Sequence, residues 1–225
     1  MFYSPLSFLF MVILFILISF FFTIVQIDVI AAVFERIGIP SRYVINALMA
    51  SFLGSLINIP VKKIPQKAMT TQKRMSFFGF RYIIPVTRRN YTILAVNVGG
   101  AVVPVCISAY LLLKTGLYFQ SAIATGCMAL AAYRMARAIP GVGIALPFFL
   151  PPALAAIVSV IIAYNSAPVV AYISGSLGTL IGADILNLKK IAYLGAPVAS
   201  IGGAGTFDGV FLSGILAVLL SALLV

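Results

Sequence analysis

The sequence predicts an all-α fold, a polytopic integral membrane helix bundle of about seven transmembrane helices with broken or re-entrant segments. Three observations carry this prediction. Of 225 residues, 63% are hydrophobic and 8% charged, with a mean hydropathy of +1.17; that is too little charge to cover the surface of a soluble domain. The apolar runs approach or exceed the ~20 residues that take a helix across ~30 Å of hydrocarbon. They also lack the alternation that outer-membrane strands require.

The first run, 5–25, has no basic segment before it, no small-residue cleavage site and too long a core for a typical signal peptide, so it reads as a retained first helix. Further spans are expected at 43–60, 93–113, 118–137, 142–164, 168–187 and 207–225. In the fifth, Pro147, Pro151 and Pro152 remove backbone donors and are expected to kink or break the helix. The segment 185–207 is too apolar for a solvated loop and contains Gly195, Pro197, Gly202, Gly203 and Gly205. A packed or re-entrant course suits it, because irregular backbone at membrane depth must be buried in protein or line a cavity. Two short echoes, VNVGGAVVP at 96–104 and SIGGAGTFD at 200–208, each put a Gly-Gly pair near a helix start, a faint sign of the internal repeats found in transporters. The whole chain, 1–225, is expected to form a single membrane domain.

Charge orients the spans. The net charge is +11. With the N-terminus cytoplasmic, the inner loops hold Lys62, Lys63, Lys67, Lys73, Arg74, Arg81, Arg88, Arg89, Arg134, Arg137, Lys189 and Lys190, against Arg36, Arg42 and Lys114 outside. This bias predicts a multi-pass protein of the cell (inner) membrane, N-terminus in and C-terminus out. The basic cytoplasmic loop 61–92 interleaves Phe77, Phe78, Phe80, Tyr82 and Tyr91 with its cations, and Pro85 with Arg88-Arg89-Asn90 suggests a turn between two short extended stretches. Between two spans, the expected partner of this loop is the bilayer, through anionic headgroups and aromatic anchoring, and not nucleic acid.

Chemistry narrows to four acids. The chain has no histidine, which removes the usual zinc sites, haem ligation and His-based triads. Cys106 and Cys127 fall in apolar runs and read as small buried residues, not as a disulfide. Asp28 and Glu35 lie near Arg36 and read as a solvated or ion-paired face. Asp184 and Asp208 differ, being set in glycine-rich apolar surroundings where an ionised carboxylate is costly. Counted from Pro168, Asp184 lies about 24 Å along the sixth helix, near its cytoplasmic end. Asp208 starts the seventh at similar depth, so the pair is expected to share a site near the cytoplasmic face. The plainer readings are an N-cap for Asp208 or Thr206, and for Asp184 an ion pair with Lys189, Lys190, Arg134 or Arg137. Ser174, Gly175, Gly178 and Gly182 form a small packing face from which Asp184 is well offset. Asn97, Asn187, Gly202, Gly203, Gly205 and Thr206 are the candidate substrate-binding residues.

Three mechanisms fit these residues. Paired intramembrane aspartates carry protons or bind cations, and glycine- and proline-broken helices build transporter sites; the coupling species would be a proton or a monovalent or divalent cation. Two carboxylates a few ångströms apart share a proton and activate water, as in an aspartyl hydrolase. Ser200 to Thr206 would make a phosphate cradle at a helix N-terminus for a lipid-phosphate enzyme, with Mg²⁺ offsetting Asp208.

Two resemblances bear on the choice. IGADILNLKKIAYLGA, with Asp184 followed by Asn187-Leu188-Lys189, resembles the GxGD segment of intramembrane aspartyl proteases of the prepilin peptidase type, and Pro152-Ala153-Leu154 resembles the Pro-Ala-Leu motif of the presenilin type. Ala183 replaces the second glycine, the triplet precedes the segment, and Asp208 has no matching context. INIPVKK, VNVGGAVVP, IPGVGIALPFFLPP, SGSLGTLIGAD and SIGGAGTFDGVFLSGI together resemble an uncharacterised prokaryotic multi-pass membrane family, the domain of unknown function numbered 1614. That resemblance implies a membrane location and draws attention to Asp184 and Asp208 with their glycine neighbours.

Overall fold

Local chemistry sets the ends of most helices. The computed structural model describes residues 28, 31–65, 75–77, 80–82, 91–139, 143–193, 195–203 and 209–225. The first expected span, 5–25, lies outside them, as do Gly205, Thr206 and Asp208. The described helices are α1 (31–36), α2 (Val44–Ser55), α3 (Val98–Thr115), α4 (Tyr118–Met135), α5 (Leu150–Ile162), α6 (Tyr164–Ile185) and α7 (Gly209–Leu224). Asn97 starts α3, its Oδ1 accepting from the Gly100 N–H at 2.7 Å, and Pro104 occupies an early position of the regular helix. Gly116, at φ +69°, ends it in the left-handed conformation that glycine adopts without strain.

Seven short strands stand among the described residues, so the all-α expectation is corrected to a mostly helical fold. They are β1 (Asn58–Pro65), β2 (Met75–Phe77), β3 (Phe80–Tyr82), β4 (Tyr91–Asn97), β5 (Arg137–Ile139), β6 (Gly143–Ala145) and β7 (Val198–Ile201). The second expected span, 43–60, is helical only through Ser55, and the third, 93–113, begins as strand. Physically, Ile93, Val96 and their neighbours satisfy hydropathy and β-propensity together, and only a pairing partner decides between them. Here β1 pairs antiparallel with β4, and β7 joins β4 in parallel with Val96 opposite Ile201. On either side of the expected turn at Pro85 to Asn90 stand the strands β3 and β4; the turn itself lies outside the described residues.

The prolines break the expected fifth span, 142–164: Gly143–Ala145 is strand and the helix begins only at Leu150, with Pro151 and Pro152 in its first turn, where the missing N–H has no intrahelical partner to lose.

The two glycine-pair echoes turn out to be neighbours. The strand residues that lead into the two Gly-Gly pairs lie side by side in parallel, Ala95 opposite Ser200 and Val96 opposite Ile201. A Cβ on Gly202 would meet the Ala101 N at 2.6 Å, and one on Gly99 would collide with the Ser51 carbonyl. These glycines therefore allow backbone to touch backbone.

The connections place the ends of α2, α4 and α6 and the starts of α3, α5 and α7 at the sheet-bearing end. At the opposite end the Lys114 ammonium donates to the Gly38 carbonyl. α3 and α6 are long and apolar enough to cross a membrane; α5 and the Leu212–Leu224 part of α7 are shorter apolar helices.

The core holds Phe34, Ile37, Leu111, Tyr172 and Ile173, while α6 meets its neighbours α4 and α7 through small residues. On α6, Gly175 lies against Ser213 and Ala217 of α7, while Gly178 and Gly182 lie against Met128, Ala129 and Ala132 of α4. Large apolar side chains point outward, among them Leu113, Phe119, Ile161 and Leu223, each about three-quarters exposed or more.

Candidate functional site

α6 changes winding before it ends. It is regular to Ile173, then π-wound over Ser174–Gly178 and Leu180–Ile185, and such wide turns are frequent at functional sites. Gly175, Gly178 and Gly182 let this wide part fit between α4 and α7. Asp184 emerges at its end, half-buried, off the glycine face as the helical period predicts. Its Oδ2 accepts the Gly202 N–H at 2.7 Å. Gly202 and Gly203, at φ +80° and +90°, form the left-handed turn after β7 that aims this amide at the carboxylate.

A cavity of about 340 Å³ opens beside Asp184. The walls carry Thr179 and Ala183 from α6, Ser200 and Gly203 from the β7 turn, Ser213 from α7, and Pro147, Phe148 and Pro151 at the start of α5. Asp184 is the one acid among these residues. Thr179 is 1% exposed and its Oγ1 has no hydrogen-bond partner among the described residues. One carboxylate sharing a partly open cavity with three hydroxyls suits a cation, a proton or a small hydrogen-bond donor.

The other expected site residues separate into roles. Gly202 and Gly203 belong to the Asp184 turn. Asn97 is fully buried, donating to the Ser55 carbonyl at 2.7 Å and Asn58 Oδ1 at 3.1 Å while it caps α3, so its amide is committed to the fold. Asn187 donates to the Gly182 and Ala183 carbonyls at 2.9 and 3.0 Å and closes the end of α6; its Oδ1 has no partner among the described residues. Lys190 lies over the Tyr133 ring at 5.3 Å. Asp28 and Glu35 are exposed, as a solvated face requires.

Sequence reasoning missed Thr179 and Ser213, and placed Ser200 in a phosphate cradle, not beside Asp184. The available signal was a hydroxyl inside an apolar run, Thr179 standing five residues before Asp184 on one helix.

A second, shallower cavity of about 310 Å³ lies at the same end, with Lys62 and Lys63 of β1 and Lys189 around Ile64, Leu94 and Leu188.

No curated protein and no solved structure matches the chain. The family described as Protein of unknown function (DUF1614) matches residues 52–220, which include α6, the β7 turn and every residue placed around Asp184 above, and the chain belongs to that family.

Proposed function

We propose that this chain is a multi-pass protein of the cell membrane that couples a proton or small cation to movement of a solute through the Asp184 cavity. The observation that carries the reading is Asp184 itself, held at the end of a π-wound apolar helix beside a cavity that Thr179, Ser200 and Ser213 also line. Acids in such apolar settings mark ion pathways, and interrupted helices supply their sites.

The membrane location rests on the distribution of side chains. Many large apolar side chains are exposed on the outside, and α6 meets α4 and α7 through glycine and alanine contacts, a pattern that suits a bundle surrounded by lipid. Seven spans would comprise 5–25 and α2 to α7. The shorter ones, α2 and α5 with 12 and 13 residues, reach toward the inner interface with help from the strands. Lys62, Lys63, Arg134, Arg137 and Lys189 gather at the sheet-bearing end, which makes that end cytoplasmic and fits contact with anionic headgroups.

A phosphate cradle at 200–206 is the weaker reading, because the Gly202 amide already serves Asp184, whose charge repels an anion. An aspartyl protease has one supporting observation: Pro151, adjoining the Pro-Ala-Leu triplet, lines the Asp184 cavity.

Reconstitution into liposomes tests the reading. Ion-dependent flux through the wild type is expected to fall to the protein-free leak in Asp184→Asn. Undiminished flux in that variant would reject the proposal. Cleavage of a transmembrane peptide that is lost in both Asp184→Asn and Asp208→Asn, without flux, would establish the protease.

A further inference from the structure

Three hydroxyls follow one another along α6 behind Asp184, at Tyr172, Ser176 and Thr179, with steps of four and three residues that keep them on one side of the helix. All three are buried to 1% exposure or less. Tyr172 and Ser176 face one another as mutual hydroxyl neighbours, and Thr179 Oγ1 has no partner among the described residues. Buried hydroxyls elsewhere in the bundle are mostly tied off. Ser159 and Ser174 meet at 3.2 Å, and Ser221 donates to the Val218 carbonyl at 2.9 Å. Ser108 and Ser121 also have no partner among the described residues, but neither lines the Asp184 cavity.

The row meets the cavity at Thr179, and Ser213 of α7 lines it as well. The next residue, Gly214, leaves the room that the Ser176 hydroxyl occupies; a Cβ there would collide with Ser176 Oγ and come within 3.2 Å of the Tyr172 ring. From Tyr172 to Asp184 the helix rises about 18 Å, roughly half of what a bilayer core requires. A buried hydroxyl with no partner among the described residues, such as Thr179 Oγ1, calls for water or an ion.

We propose that Tyr172, Ser176, Thr179 and Ser213 form a hydrated track that delivers a proton from the middle of the bundle to Asp184. The proton is favoured over a metal cation because hydroxyls both donate and accept, as relay through water requires, and among the described residues the one charge on the route stands at its end. This rests on the transport reading of Asp184 and names its coupling species.

The test uses the full chain in liposomes, with Cys106 and Cys127 replaced by serine. Ser176→Cys and Thr179→Cys are labelled by a small water-soluble thiol reagent and compared with Ala217→Cys, a fully buried position on α7. A dry site reacts only through local opening, so labelling at 176 and 179 is expected to be at least about tenfold faster than at 217. Equal rates overturn the track. In parallel, proton uptake read by an internal pH dye is expected to slow several-fold in Thr179→Val and Tyr172→Phe and to recover in Thr179→Ser. Uptake unchanged by both, or replaced by sodium-driven flux, overturns the proton assignment. Fast labelling with flux indifferent to Asp184→Asn would leave the track and remove the transport reading. Flux dependent on Asp184 with slow labelling would do the reverse.

Discussion

At the scale of single residues, two glycines of neighbouring helices make opposite predictions. Nothing stands within 4 Å of a Cβ built on Gly126 of α4, whereas one on Gly182 of α6 would collide with the Ala129 carbonyl and press the Ala132 Cβ at 2.7 Å. Gly126→Ala is therefore expected to be neutral or to stabilise by about 0.5–1 kcal/mol through helix propensity. Gly182→Ala is expected to cost about 1–3 kcal/mol as overpacking. Thermal unfolding in detergent reads both, and equal shifts would refute the packing assigned to α6. Asn97 offers a sharper separation of fold from function. Asn97→Ala removes an α3 cap and strands the Ser55 carbonyl, at a cost of about 1–3 kcal/mol. Transport per folded molecule is expected to stay at the wild-type level; a selective loss would return Asn97 to the site.

At the scale of elements, the β4–β7 pairing positions the site. Parallel neighbours need a crossover connection, and here it consists of α3 to α6. The register that sets Val96 opposite Ile201 places Gly202 against Gly100 and Ala101 and points its amide at Asp184. Gly202→Ala is consequently a probe of the element and not only of the residue. A side chain at φ +80° costs about 1–2 kcal/mol, and the collision with Ala101 adds to it. The expected outcome is loss of both stability and Asp184-dependent flux. Ala199→Gly, in the same strand without that contact, is expected to retain flux.

At the scale of the whole molecule, the alternation of helix directions gathers the sheet, the lysine-rich cavity and Asp184 at one end, with the Gly38–Lys114 contact at the other. The orientation proposed above makes the first end cytoplasmic. In a Cys106→Ser, Cys127→Ser background, a cysteine at Lys63 is expected to react with an impermeant reagent only from the cytoplasmic side. One at Gly116, in the turn after α3, is expected to react only from outside. The opposite pattern would invert the topology.

Sequence by itself determined the apolar, mostly helical character, the positions of α3, α4, α6 and α7 to within a few residues, and the singling out of Asp184 and its glycines. Composition and period carry that information because burial of apolar surface and helix geometry are local or additive properties. Only tertiary structure decided that 58–65 and 91–97 are strands, that Pro151 and Pro152 begin a helix, and that Thr179, Ser200 and Ser213 surround Asp184. Each of these depends on a partner distant in the chain: β7 lies about a hundred residues from β4, and Ser213 stands on a different helix from Asp184. A strand is chosen by what pairs with it, and a site by what converges on it.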